Sequence, residues 1–176
     1  RMASGHLQGR LLKMLVGMIH PKNVLEVGTF SGYSALSMAE GLEDGGHLYT
    51  FEINDEQEDF TRPWIEQSPW ADRITFLIGD AITEAPRLGI SFDLAFIDGD
   101  KRTYRETYEM ALSVVRKGGF ILADNTLWDG HVVDPSYGKD QQTHGIVSFN
   151  DYVRQDSRVE RVILPLRDGL TLIRKL

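Results

Sequence analysis

Along the chain, short apolar runs alternate with stretches in which hydrophobic residues recur every three or four positions. Leu11, Leu12, Leu15, Val16 and Ile19 share one helical face, and His20-Pro21 ends that helix. Asn23 to Val27 reads as a buried strand, and Ser31 to Leu42 as a helix with a capping serine in its first turn. Gly45-Gly46 turns the chain into a second strand, His47 to Glu52. A polar helix over Asp55 to Gln67 leads to a third strand, Ile74 to Ile78. A short helix, Ile82 to Leu88, precedes the strand Phe92 to Ile97. The next helix, Thr103 to Arg116, carries Tyr104, Tyr108, Ala111, Leu112 and Val115 on one face. Lys117-Gly118-Gly119 then turns into the strand Phe120 to Ala123.

Five strands joined by helical crossovers predict an open, mainly parallel sheet covered on both faces. A long connection, Leu127 to Gly145, leads to a helix over Ile146 to Arg154. Two last strands, Val159 to Leu164 and Gly169 to Ile173, are separated by a turn too short for a helix, so they should pair antiparallel. There is no internal repeat, low-complexity tract or linker, so residues 1–176 read as one domain. The expected fold is α/β and Rossmann-like, a mainly parallel seven-stranded sheet with a C-terminal antiparallel hairpin and helices on both faces. Such sheets bind ligands beyond the carboxyl ends of their strands, where the strand order switches. Polar residues just after strands are therefore the candidates for chemistry.

Composition narrows the classes of partner. A formal charge of −7 and a pI near 5.2 leave no basic stripe for nucleic-acid phosphates. No apolar run approaches the roughly 20 residues that span a bilayer, and no signal peptide opens the chain. Cysteine is absent, which excludes disulfides, thiolate zinc sites and a cysteine nucleophile and fits a cytoplasmic setting. The chain opens at Arg1 without an initiator methionine, which leaves room for residues upstream.

The first strand runs into Glu26-Val27-Gly28-Thr29-Phe30-Ser31-Gly32, a glycine turn that lets backbone approach a ligand. Its G-x-x-x-G spacing differs from the G-x-G-x-x-G that wraps a dinucleotide pyrophosphate. S-adenosylmethionine has no pyrophosphate; it carries a sulfonium, an ammonium and a carboxylate, and so calls for acids beside backbone donors. Glu26 is such an acid, Glu52 ends the second strand where ribose hydroxyls would lie, and Gly79-Asp80-Ala81 closes the third near an adenine edge. Each has a structural reading too, Glu26 as a solvated strand end and Asp80 as a helix cap. Three successive strands ending this way favour the nucleoside cofactor.

The fourth strand ends Asp98-Gly99-Asp100-Lys101 and the fifth Asp124-Asn125. Adjacent carboxyl ends would bring Asp98, Asp124 and Asn125 to one point. Three oxygen ligands without thiolate or imidazole suit magnesium, calcium or manganese. A catechol could fill two of the remaining positions, and coordination would ionise and place its hydroxyl. Lys101 is the candidate base for the hydroxyl proton, since a nearby divalent cation favours the neutral amine. The alternatives are an ion pair of Lys101 with Asp100 and turn or cap roles for the three Asx residues.

These segments resemble the cation-dependent O-methyltransferases, the group containing caffeoyl-CoA O-methyltransferase and animal catechol O-methyltransferase. The resemblance covers Ser4 to Arg10, Val24 to Ser34, Phe96 to Lys101, Asp124 to Gly130 and Leu164 to Gly169. It implies Asp98, Asp124 and Asn125 as metal ligands and Lys101 as the base, with Asp98 also a catalytic residue and a cofactor contact. It implies Glu52 at the ribose, Glu26, Gly28 and Ser34 around the methionine part, and Asp80-Ala81 near adenine. Met2 and Ser4 match positions that close over the cofactor, and Asp100 matches a cofactor contact in plant members. Family members commonly form homodimers and carry further N-terminal helices, whereas this chain begins almost at the cofactor-contacting segment.

On the acceptor side, Trp128 follows the metal ligands directly and could lie against an aromatic ring or pack in the core. His131 and His144 are substrate contacts or alternative bases in one reading, solvated loop residues in the other. The long connection holds one lysine, Lys139, and no clamp for coenzyme A phosphates, which favours a small free catechol or catechol acid. Two competing readings are a nicotinamide-dependent oxidoreductase and a non-catalytic adenosylmethionine-binding module. The first lacks the second glycine of G-x-G and a Tyr-x-x-x-Lys dyad; against the second stands the complete Asp98, Asp124, Asn125 and Lys101 set.

Overall fold

The computed structural model describes residues 4–176; the expectation placed on Met2 lies outside them. Seven strands form one sheet in the order β3-β2-β1-β4-β5-β7-β6. They are β1 (Asn23–Val27), β2 (His47–Glu52), β3 (Ile74–Ile78), β4 (Phe92–Ile97), β5 (Val115–Ala123), β6 (Val159–Leu164) and β7 (Leu170–Lys175). The first five run parallel, and β7 lies antiparallel between β5 and β6. The hairpin therefore inserts its second strand against the sheet and leaves its first at the edge.

The apolar runs are continuous because both faces are covered. Along β4, Leu94 and Phe96 face one core and Phe92, Ala95 and Ile97 the other. The first core is closed by α1 (Gly5–Ile19), α2 (Tyr33–Ala39) and α3 (Glu58–Glu66), through Leu12, Val16, Ala35, Met38 and Ile65. The second is closed by α4 (Ala81–Glu84), α5 (Tyr104–Val114) and α6 (Gln141–Gln155), through Tyr104, Tyr108, Ile146 and Phe149. Among the described residues no helix is long and apolar enough to cross a membrane.

Three expectations of local structure are corrected. β5 begins at Val115, five residues early, and absorbs the glycine pair into an irregular register against β4. The connection expected over Leu127 to Gly145 winds into 3-10 turns at Trp128–Val133 and Pro135–Tyr137 and ends at Asp140. Finally, α6 starts at Gln141 because Asp140 caps it, accepting from the Thr143 amide at 2.8 Å and hydroxyl at 2.7 Å. Its first turn is polar, which hides it from hydrophobic periodicity.

Candidate active site

Strand order reverses between β1 and β4, since β1 leads outward to β2 and β3 while β4 leads to β5. The carboxyl ends diverge there and open a cavity of about 940 Å³, ample for a nucleoside cofactor with an aromatic beside it. Gly28 makes the crossing possible: a Cβ on it would meet the Asp98 carbonyl at 2.5 Å, and its φ is +97°. The turn after β1 thus lies directly on the end of β4.

Of the residues expected to contact a cofactor, Ser4, Gly28, Ser34, Glu52, Asp80, Ala81, Asp98 and Asp100 line this one cavity. Glu52 accepts backbone amides from Phe30 at 2.8 Å and Asn54 at 3.0 Å, so its carboxylate is fixed while lone pairs remain for hydroxyl donors. Asp80 does both jobs considered for it, lining the cavity and capping α4 through the Ile82 amide at 2.9 Å. Asp100 also lines the cavity, yet its carboxylate is paired with Arg102.

Glu26 sits elsewhere. It is fully buried and is not a cavity-lining residue, so the picture of a solvated strand-end acid is corrected. Its Oε2 accepts from the Thr50 hydroxyl at 2.5 Å, and Thr29 bonds Thr50 in turn. Its Oε1 is the one buried side-chain polar atom without a partner among the described residues. Burial pushes the carboxyl up to about 8, opposed only in part by neighbouring hydroxyls and reinforced by Asp98 and Glu52.

On the far side, Asp98, Lys101, Asp124, Asn125 and Trp128 line the same cavity. Lys101 is buried, and its Nζ donates to Asp98 Oδ1 at 2.8 Å and to the Tyr104 hydroxyl at 3.1 Å. It therefore pairs with Asp98, while Asp100 takes Arg102 instead. Burial raises the Asp98 carboxyl and the Asp124 charge raises it further, against the pull of Lys101. Asp124 is held by the Asn125 amide on Oδ1 at 2.9 Å and the Gln8 side chain on Oδ2 at 2.7 Å. Asn125 is in the left-handed region at φ +57°, which asparagine tolerates well.

Helix α6 is pressed against the turn that carries Lys101. A Cβ on Gly145 would meet the Lys101 carbonyl at 2.0 Å, and Gln142 Oε1 accepts from the Lys101 amide at 3.1 Å. Trp128 is half-buried, lines the cavity and packs partly on the second core. Neither His131, stacked on Tyr137 at 3.6 Å, nor the exposed His144 lines the cavity. The reading of either as a base near Asp98 is corrected.

Sequence reasoning missed Gln8, Tyr104 and Arg167. The Tyr104 hydroxyl lies 2.7 Å from both the Ile97 and the Asp124 carbonyl while accepting from Lys101. It ties the ends of β4 and β5 to the lysine, and burial keeps it a neutral phenol. Its helical spacing marked it only as core. Arg167 reaches back from the β6–β7 turn to Gln8 and the Ser4 carbonyl, across a sequence separation that no local pattern encodes.

The sequence pattern of the O-methyltransferase family matches residues 1–176 of the chain. The chain belongs to that family. Caffeoyl-CoA O-methyltransferase 1 of Eucalyptus globulus is 35% identical over 96% of this chain and 73% of its own length. Tricin synthase 2 of Oryza sativa subsp. japonica is 38% identical over 99% of this chain and 64% of its own. Among solved structures, the O-methyltransferase of Bacillus cereus in complex with SAH superposes with a TM-score of 0.92 at 29% identity, covering 99% of this chain and 83% of that one. TomG of Streptomyces achromogenes, in complex with SAM, gives 0.91 at 27% identity, with coverage of 99% and 82%. By fold and family the protein is an S-adenosylmethionine-dependent O-methyltransferase, and the nicotinamide and non-catalytic readings fall away.

Proposed function

We propose that this O-methyltransferase methylates one hydroxyl of a vicinal dihydroxy aromatic, a small catechol or catechol acid, with a divalent cation at Asp98, Asp124 and Asn125. The observation that carries the reading is the cluster on the β4–β5 side. Two carboxylates face one cavity, and Asp98 is raised by its burial and by Asp124. Among the described residues each Asp124 oxygen takes a single donor, which leaves lone pairs for a hard cation, as that donor set requires. Among the described residues no three or more His, Cys, Asp or Glu side chains gather as a metal cluster; the proposed set is two carboxylates and an amide. Magnesium, calcium or manganese would suit it.

The methyl passes from the donor sulfonium to the acceptor oxygen, leaving SAH and one proton. When bound, the cation would lower the pKa of the acceptor hydroxyl and hold its neighbour. The chain supplies the rest. Lys101 Nζ, buried 2.8 Å from Asp98 and steadied by Tyr104, receives the proton at the cavity wall. Glu52 takes the ribose hydroxyls on a carboxylate its backbone donors already orient. Gly28, Ser34 and Ser4 bound the methionine part, Asp80 and Ala81 the adenine, and Asp100 adds a rim contact; Glu26 acts from beneath. Trp128 offers its face to the acceptor ring. Among the described residues the cationic side chains that line the cavity are Lys101, paired with Asp98, and Arg167, bonded to Gln8, and Lys139 is exposed on the connecting segment, which supports a free catechol rather than a thioester of coenzyme A.

The test is a methyl-transfer assay on a catechol panel. Exhaustive chelation should abolish turnover, magnesium or manganese should restore it, and single-hydroxyl phenols should react poorly. Full turnover of a chelated enzyme free of metal would sink the reading.

A further inference from the structure

Asp124 directly follows β5, yet one of the two donors that aim its carboxylate comes from the opposite end of the chain. Gln8 on α1 is buried, 1% exposed, and donates from Nε2 to Asp124 Oδ2 at 2.7 Å. Which end of the Gln8 amide faces Asp124 is fixed by a third residue. Arg167 Nη1 donates to Gln8 Oε1 at 2.8 Å. A guanidinium has only donors and a carboxylate only acceptors. The amide between them therefore turns its oxygen to Arg167 and its NH₂ to Asp124.

Arg167 is built to hold that place. Its backbone is left-handed, φ +51°, a region where an arginine carries strain. The turn around it is stitched to the segment after β5 by the Thr126 amide on the Gly169 carbonyl, 3.0 Å, and the Leu127 amide on the Asp168 carbonyl, 2.9 Å. The same Nη1 also bonds the Ser4 carbonyl at the cavity edge.

We propose that Gln8 is a positioning residue for the cation site: it fixes the Asp124 carboxylate in one orientation, and Arg167 fixes Gln8. This rests on the reading of Asp98, Asp124 and Asn125 as cation ligands. Groups that orient a metal ligand from behind change affinity about 10- to 100-fold when removed. The carboxylate's second oxygen is held by its neighbour's backbone amide, which no side-chain substitution removes. The loss should therefore sit toward the lower part of that range.

The experiment is manganese binding followed by electron paramagnetic resonance, with SAH binding and thermal unfolding measured beside it. Gln8→Met keeps length and burial but removes the donor. It should weaken Mn²⁺ binding about 10-fold or more and change SAH affinity less than about threefold. Turnover should return at high Mn²⁺, because a misaimed ligand lowers occupancy rather than chemistry. Arg167→Gly is the second variant; glycine accepts the left-handed backbone without strain, so the turn survives while the arm is lost. It should weaken Mn²⁺ binding severalfold. Unchanged Mn²⁺ affinity in both variants overturns the relay, as does an equal loss of SAH and Mn²⁺ binding in Gln8→Met. A wild-type enzyme that binds no Mn²⁺ overturns the cation reading itself, which separates the two failures.

Discussion

Glu52 receives two backbone amides, from Phe30 at 2.8 Å and Asn54 at 3.0 Å, whereas Asp98 across the cavity leans on the tip of one lysine, Lys101, at 2.8 Å. The contrast extends along each side. On the β1–β2 side the acids are fixed by chain close in sequence or by neighbouring strands, with Thr29 and Thr50 bracing Glu26. On the β4–β5 side Asp98 is held by the side chain of Lys101, three residues on, and Asp124 by the Gln8 side chain from α1 together with its neighbour Asn125's amide. Backbone amides hold a carboxylate whether or not a ligand is present. Side-chain partners can swing away, which would suit the cation and acceptor proposed for that side.

The sharpest test of that contrast is Asp124→Asn. Metal-derived stabilisation of a developing oxyanion amounts to several kcal/mol, so methyl transfer should fall about 10³-fold. SAH binding by calorimetry should stay within about threefold, because the proposed donor contacts lie mainly at the ends of the first three strands. A parallel loss of SAH affinity would show the two sides to be one unit.

Lys101→Met should lower kcat about 10²-fold, the lower part of the general-base range. A pH–rate profile checks the role: the variant's rate should keep rising with pH where the wild type has levelled, as hydroxide takes over the proton. Undiminished turnover at neutral pH would remove Lys101 from the chemistry.

Glu52→Gln keeps one acceptor oxygen for the backbone amides and removes the charge. A charged hydrogen bond contributes about 1.5–3 kcal/mol, so SAH affinity should fall roughly 10-fold or more with kcat little changed at saturating donor. A drop in kcat alone would place Glu52 on the wrong side of the comparison.

The smallest expected effect belongs to Glu26, and it reads in stability. Its carboxyl is raised from the usual 4.5 to about 8. The folded state then holds a proton that the unfolded state has released, so stability is full below about pH 4.5 and declines as pH climbs through 8. Glu26→Gln should flatten that decline and raise the melting temperature at pH 9 by a few degrees, at roughly 2–4 °C per kcal/mol for a domain of this size. Identical melting curves across pH 5–9 would show Glu26 to be ionised in the fold.

Much of the cofactor side was legible because its signals are local. β1, β2, β3 and β4 end where apolar runs meet Glu26, Glu52, Gly79-Asp80 and Asp98, and the strand boundaries agree with the sequence pattern. Arg102 intercepting Asp100 and the Gln8–Asp124 bond were not legible. They depend on side-chain directions and on residues more than a hundred positions apart. Glu26 shows the limit from another angle. Its place before a glycine turn suggested an acid at the cavity, and only the packed structure reveals that it lies behind the wall.

The position of β7 has a consequence for how the enzyme is made. β1, β2 and β3 join through neighbouring crossovers, so that half of the sheet can assemble from contacts short in sequence. β5 pairs on its outer side with β7, and the 3-10 turns, α6 and β6 all intervene before that strand is synthesised. Until β7 arrives, β5 presents an open edge, a template for pairing with other chains. During synthesis on the ribosome the donor half can thus be in place while the half carrying Asp124 still waits. A nascent chain stalled before Leu170 should bind SAH more readily than it resists aggregation.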